Sequence, residues 1–146
     1  MPVETVALPD AMGLLFICRG VLSGRELVEA TQGLLDSAPH RAPFRYGIVD
    51  GTNISRVAEL STADLRTLAE MHKRLADAHP KSGEVVAVVA PLDVFYGLSR
   101  MWSVFAEGTG WEIASFRSRA EADAWIRQRM REKHGLDLPR AQSATA

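Results

Sequence analysis

Residues 85–90 read Val-Val-Ala-Val-Val-Ala, an unbroken apolar run of strand length. Because this run has no polar face to present to water, it predicts an interior strand that is covered on both sides, as in parallel sheets. Two further runs of the same kind precede it, at residues 14–18 and 46–49. Residues 3–8 and 111–116 alternate in polarity or carry charge, and we therefore expect these weaker strands nearer the edges of the sheet.

Three serines mark the starts of helices, because each is followed three residues later by an acidic residue: Ser23, Ser61 and Ser118. In such a capping box the serine oxygen accepts a hydrogen bond from an amide of the first turn, and the acid reaches back to the serine N–H. Helical periodicity follows each serine, and Pro91 favours entry into one more helix over residues 92–107. The element order ββαβαβαβα predicts an α/β fold with a mostly parallel five-stranded sheet, its first strand antiparallel, and four helices.

The chain has 146 residues, of which 47% are hydrophobic and 24% are charged. We predict a single domain over residues 1–135 and a disordered tail over residues 136–146, where the chain becomes small and polar. The net charge of −1 argues against a nucleic-acid partner. A single cysteine excludes an internal disulfide, and the beginning of the sequence lacks the basic and apolar stretches of a signal peptide, so we expect a cytoplasmic protein.

The sequence contains no phosphate loop, no Gly-x-Gly-x-x-Gly turn after an early strand, no Gly-x-Ser-x-Gly elbow and no His-Glu-x-x-His zinc motif. His72 and His79 lie about 10 Å apart along one helix, too far for one metal ion. We interpret them as histidines at the edge of the core that pair with backbone carbonyls, and Cys18 as a small buried hydrophobic residue. We therefore predict no enzyme, metal or cofactor; an enzyme built on Asp50, Ser55 and His72 is the least favoured alternative.

Residues 50–56 (Asp-Gly-Thr-Asn-Ile-Ser-Arg) follow the third predicted strand and lead to Ser61. Ligands collect at the carboxyl ends of strands in open α/β sheets, and the N-terminus of the next helix favours anions. This segment predicts a loop that binds phosphate or another anion through Asp50, Thr52, Ser55 and Ser61. The same residues are typical of a simple turn, and the sequence leaves both interpretations open.

The third predicted helix carries apolar side chains over an arc of about 200°, whereas a helix packed on one sheet needs a stripe only a little over 100° wide. Full coverage of each large side chain is worth about 1.5–3 kcal/mol, so the surplus favours a ligand or partner on this helix. The predicted surface consists of Phe95, Leu98, Met101, Trp102 and Phe105. Alternatively, the second and fourth helices cover the flanks of this arc.

The fourth predicted helix is rich in arginine around Trp125, a pattern found in helices that lie on anionic membranes. Three acidic residues dilute this charge: Glu121, Asp123 and Glu132. The favoured interpretation is therefore that Trp125 anchors the helix to the core and that the arginines form a solvated face.

Three segments and the element order carry a resemblance to a known family: residues 86–91 (Val-Ala-Val-Val-Ala-Pro), 95–102 (Phe-Tyr-Gly-Leu-Ser-Arg-Met-Trp) and 116–126 (Phe-Arg-Ser-Arg-Ala-Glu-Ala-Asp-Ala-Trp-Ile). Over about residues 3–130 the chain resembles the SpoIIAA-like group of bacterial single-domain proteins. Their fold is related to STAS domains and to the lipid-carrying CRAL-TRIO domains. The resemblance implies a β-α superhelix, and a homodimer, since members are commonly dimers.

In the STAS antagonists of anti-sigma factors, a partner kinase phosphorylates a serine or threonine at the start of the second helix. Here Asp50 is followed by a longer segment up to Ser61 and Thr62, without the glycine that follows in those proteins. We predict a non-enzymatic binding module that forms a homodimer, or that takes up a fatty acid, another lipid or a membrane surface, through the helix at 92–107. The alternative is a phospho-regulated switch with a regulatory protein as partner and Ser55 or Ser61 as acceptor.

Overall fold

The computed structural model describes residues 3–10, 12–40, 42–80 and 84–138 of the chain. Within them, the predicted five strands and four helices are confirmed. The strands are β1 (Val3–Ala7), β2 (Gly13–Leu22), β3 (Tyr46–Val57), β4 (Val85–Val89) and β5 (Glu112–Phe116). The helices are α1 (Gly24–Ser37), α2 (Thr62–Ala78), α3 (Asp93–Phe105) and α4 (Arg119–His134), and short 3-10 turns lie at Ala38–His40 and Glu107–Thr109.

The five strands lie across the sheet in chain order, from β1 at one edge to β5 at the other. β1 runs antiparallel to β2, as predicted, and the pairings of β2 with β3, β3 with β4 and β4 with β5 are parallel. The sheet is therefore mixed, which corrects the prediction of a mostly parallel sheet. Because each parallel crossover moves one strand further in the same direction and crossovers are right-handed, α1, α2 and α3 all lie on one face.

Two hydrophobic cores lie on the two faces of the sheet. One joins Phe16 and Val88 to side chains of α1, α2 and α3, and the other joins Ile17 and Val89 to Ile126 and its neighbours on α4. All five residues of β4 are buried and alternate between these cores. The predicted coverage of this strand on both sides is confirmed.

The predicted loop at residues 50–56 is wrong, because β3 continues through it to Val57. β2 is ten residues long and β3 twelve, and the two strands stay paired as far as Leu22 and Val57, with two register shifts on the way. The close packing of β3 against its neighbours requires Gly51. A Cβ at this position would lie 2.7 Å from the carbonyl oxygen of Val89 and 2.8 Å from the ring of Phe95.

The predicted helix starts are confirmed at all three serines. Ser23 and Ser61 form complete capping boxes with Glu26 and Asp64. Ser118 accepts a hydrogen bond from the Glu121 amide at 3.2 Å, while the Glu121 carboxylate accepts from the serine hydroxyl at 3.1 Å. None of the helices within the described residues is long and apolar enough to cross a membrane.

The ends of α4 are fixed by charged and apolar contacts. At its start, the Arg119 guanidinium donates to Asp50 on β3 at 3.1 Å and to Asp123 at 2.9 Å. After its end, Leu136 and Leu138, at the beginning of the predicted tail, pack against the core beneath α4. Residues 139–146, the rest of that predicted tail, lie outside the described residues.

The Asp50–Arg119 pair gives a first prediction for stability. The Asp50 side chain is 3% exposed, so removal of the arginine would leave a buried carboxylate without its cation. We expect Arg119→Leu to lower the free energy of unfolding by about 2–4 kcal/mol in urea titrations at pH 7. The matched control, Arg25→Leu, removes an exposed pair with Glu29 and should cost less than about 1 kcal/mol. Equal losses in the two variants would contradict the assignment.

Candidate ligand-binding cavity

A cavity of about 130 Å³ lies between the sheet and the three helices on its first face. Its walls are mainly apolar and include Phe16, Val86 and Val88 from the sheet, Leu27, Leu65 and Leu68 from α1 and α2, and Phe95, Leu98 and Trp102 from α3. Apolar walls of this kind gain free energy when an apolar molecule replaces water against them.

The predicted surface on α3 is divided between the cavity and the exterior. Phe95 and Trp102 are 6% and 8% exposed, and together with the partly buried Leu98 they line the cavity. These three side chains therefore lie between α3 and its neighbours, because α2 packs beside α3 on that flank; the ligand or partner surface on α3 stays a prediction. Phe105 is partly buried, with the Arg66 guanidinium 4.2 Å from its ring centre.

Exposed apolar side chains remain on the opposite side of α3. Val94, Met101 and Val104 are 59%, 40% and 60% exposed. Their spacing of seven and three residues places them in one stripe along the helix. Of the residues predicted for the surface, Met101 alone belongs to this exposed stripe.

His72 supplies polar groups to the wall of the cavity, and the side chains of Trp102 and Trp111 contact it there. The indole Nε1 of Trp102 donates a hydrogen bond to His72 Nδ1 at 3.1 Å. The centres of the His72 and Trp111 rings are 5.6 Å apart. Burial lowers the pKa of His72 to about 4, so the imidazole is neutral at pH 7; since Nδ1 accepts, the proton resides on Nε2.

Two buried nitrogens have no hydrogen-bond partner among the described residues: His79 Nε2 and Trp111 Nε1. Both residues line the cavity. His79 lies just after α2, and Trp111 directly precedes β5. The predicted pairing of the histidines with carbonyls is corrected: His72 pairs with an indole, and His79 Nε2 lacks a partner within the described part of the chain.

Trp111 was not among the predicted site residues. The sequence places it in a weak edge strand, where a tryptophan needs no special explanation. Its significance depends on the burial of its nitrogen away from any acceptor, which is a property of the assembled fold. The nearest sequence signal is the turn at Gly110, which has a φ of 74° and precedes the tryptophan.

The residues of the predicted anion loop do not form one site. Asp50 is buried on the α4 face of β3, where it accepts from the Thr52 amide at 2.9 Å and from Arg119. Thr52 and Ser55 are exposed along the strand, and Ser61 caps α2. Asp50 and His72 lie on opposite faces of the sheet, so the enzyme constellation considered above is not assembled.

The candidate metal ligands and the single cysteine all lie in the part of the chain that the structure describes. Within it, His, Cys, Asp and Glu side chains do not gather into a group of three or more that could hold a metal ion. Cys18 is buried, and its burial raises the pKa of the thiol to about 12. The prediction that Cys18 is a small buried residue is confirmed.

Comparison with known proteins adds a likeness in fold. No protein-family model matches the chain, and no curated protein matches it. Among solved structures, it is similar to an uncharacterized protein from the DUF3478 family of Shewanella loihica, described as having a SpoIIAA-like fold. The identity is 21% and the TM-score 0.49, over 85% of this chain and 91% of that protein. A likeness of this degree concerns the course of the backbone alone.

The burial of His72 gives a prediction for the pH dependence of stability. Its pKa of about 4 in the folded chain lies below the ordinary value of 6.5, so the unfolded chain binds a proton first as the pH falls. Protonation of His72 in the unfolded chain therefore lowers the free energy of unfolding little above about pH 6.5, and this free energy falls progressively from about pH 6.5 towards pH 4. Between pH 7 and 5 this residue should account for a loss of about 2 kcal/mol in the free energy of unfolding.

Urea titrations of two variants check this prediction. His72→Gln keeps an oxygen that can accept from Trp102 and removes the titrating group, so its stability should fall less between pH 7 and 5 than that of the unsubstituted chain. His40→Gln, at an exposed position, is the matched control and should retain the full loss. An undiminished loss in His72→Gln would refute the assignment.

Proposed function

We propose that this protein is a binding module that takes a small apolar ligand into the cavity beneath α3. The observation that carries the proposal is the apolar wall of a cavity of about 130 Å³, with polar groups confined to a few positions. In another protein, an engineered apolar cavity of about 150 Å³ stays dry and binds benzene. Small-ligand sites commonly combine such apolar walls with a few polar groups that fix orientation.

The volume of the cavity limits the size of the occupant. Space for about one aromatic ring suits a compact molecule of roughly six to ten non-hydrogen atoms, or the end of a larger one. A whole long-chain fatty acid or a lipid would require the helices to move apart. Within the predicted range of apolar ligands, a compact molecule is therefore the occupant that this packing favours.

Self-association is a second candidate function, and the exposed stripe of Val94, Met101 and Val104 favours it. Gly97 lies within this stripe, and a Cβ added there would meet open space, so a second copy could approach the helix closely. Stable interfaces bury about 800 Å² on each partner, and three side chains supply only part of that area. Val104→Glu, examined by sedimentation velocity, should abolish any dimer; a dimer that persists unchanged would exclude this stripe as its interface.

The phospho-regulated switch remains the alternative from the resemblance. Ser55 is exposed on β3, whereas the Ser61 side chain accepts from the Asp64 amide in its capping box. A phosphate on Ser61 would disturb that cap and face the Asp64 carboxylate. Of the two candidate acceptors, Ser55 is therefore the more accessible one.

Titration with toluene, followed by nuclear magnetic resonance of the tryptophan indole protons, tests the proposed cavity. We expect saturable shifts of the Trp102 and Trp111 signals, and an increase in thermal stability that grows with toluene concentration. Leu98→Trp adds bulk inside the cavity and should weaken binding at least about tenfold, because the ligand and the new ring would compete for one volume.

The matched control is Val104→Trp, which places the same indole ring on the outer face of α3. It should leave toluene binding unchanged. If toluene produces no saturable shift, or if the two substitutions weaken binding equally, the cavity is not the site. Circular dichroism of both variants establishes that the fold is retained.

A further inference from the structure

We infer that the ligand of this cavity is an uncharged molecule with a hydrogen-bond acceptor, such as a ketone, ester or amide oxygen, which accepts the indole N–H of Trp111. This inference rests on the proposed function and specifies the chemical class of its ligand. It draws on three observations: the buried nitrogens of the lining, the charges of the lining residues and the volume of the space.

The first observation is that Trp111 Nε1 is buried without an acceptor among the described residues. An indole nitrogen can only donate, and buried donors are almost always satisfied by a protein group, an ordered water or a ligand. His79 Nε2, just after the end of α2, is also without a partner among the described residues. An acceptor on the ligand would satisfy Trp111, and a carbonyl oxygen has two lone pairs with which to do so.

The second observation is the charge of the lining. The cavity-lining residues that the structure describes include Glu84, His72 and His79 but no lysine or arginine. Trp102 donates to Nδ1 of His72, which suits a neutral imidazole. Among the described lining residues, a carboxylate or phosphate in this cavity would meet no lysine or arginine to compensate its charge, and an unpaired charge is costly to bury.

A cationic ligand fits no better, because Glu84 already has an interaction of its own. An ammonium group offers only donors and would leave the Trp111 N–H unsatisfied. The apolar walls and the volume of about 130 Å³ suit a body of ring size. The class that meets all these conditions is a neutral, compact, mainly apolar molecule with an oxygen acceptor at one end.

Three probes of nearly equal size separate the relevant chemistries: ethylbenzene has no acceptor, acetophenone has a carbonyl, and benzoate carries a negative charge. We expect acetophenone to bind about 3–10 times more tightly than ethylbenzene, as one net hydrogen bond allows. Benzoate should show no saturable binding. The Trp111 indole proton should move downfield with acetophenone and not with ethylbenzene, because only the ketone accepts its hydrogen bond.

Trp111→Phe retains an aromatic ring and removes the N–H. It should abolish the preference for acetophenone while ethylbenzene still binds. Trp125→Phe is the matched control, since Trp125 contacts Phe116 and belongs to the core beneath α4; it should leave the preference intact. If Trp111→Phe fails to fold, the shift of the Trp111 indole proton in the unsubstituted chain still tests whether the ketone accepts its hydrogen bond.

The outcomes distinguish this inference from the proposed function. If none of the three probes binds, the cavity is not a ligand site and both proposals fall. If ethylbenzene binds as tightly as acetophenone, or the Trp111 indole proton does not respond to the ketone, the cavity binds ligands but the acceptor inference is wrong. If benzoate binds most tightly, the ligand is an anion and the inference is also overturned.

Discussion

The handedness of the crossovers determines on which face of the sheet the cavity lies. The strands succeed one another across the sheet in chain order, and a right-handed connection between parallel neighbours then returns each helix to the same face. Three helices consequently crowd one side, and α4 alone covers the other. Three helices packed side by side on a twisted sheet leave gaps between their side chains, whereas a single helix can pack closely against the sheet. The cavity accordingly lies on the three-helix face.

The apolar excess of α3 is explained by this arrangement. Phe95 and Trp102 point inward as walls of the cavity, and Val94 and Val104 remain on the outside. The width of the apolar arc therefore reflects two separate surfaces, one internal and one external. α3 is also held to α2 by the hydrogen bond from Trp102 to His72, and both of these residues line the cavity, so the wall of the cavity and the packing of the two helices depend on each other.

Local signals in the sequence predict the local structure of this protein well. The serine caps and the strand at residues 85–90 depend on neighbouring residues and on simple burial, and both are found as expected. The segment at residues 50–56 shows the limit: Asp and Gly are typical of turns, but pairing with β2 extends the strand and Arg119, 69 residues away, neutralises Asp50. The cavity, and the Trp111 nitrogen that lacks a partner among the described residues, arise from the packing of separate helices and strands. The periodicity of the sequence does not indicate either of them.

The long pairing of β2 with β3 leaves part of β3 as a free edge of the sheet, and such an edge bears on aggregation. β3 pairs with β4 only as far as Asp50, and its continuation presents a sheet edge that could recruit strands from another molecule. Such edges promote aggregation unless their side chains discourage it. Here the projecting stretch exposes Thr52, Asn53, Ser55 and Arg56, and the register shifts in its pairing with β2 add local twist. The polar residues that are typical of a loop in the sequence thus disfavour pairing of this edge with strands of other molecules.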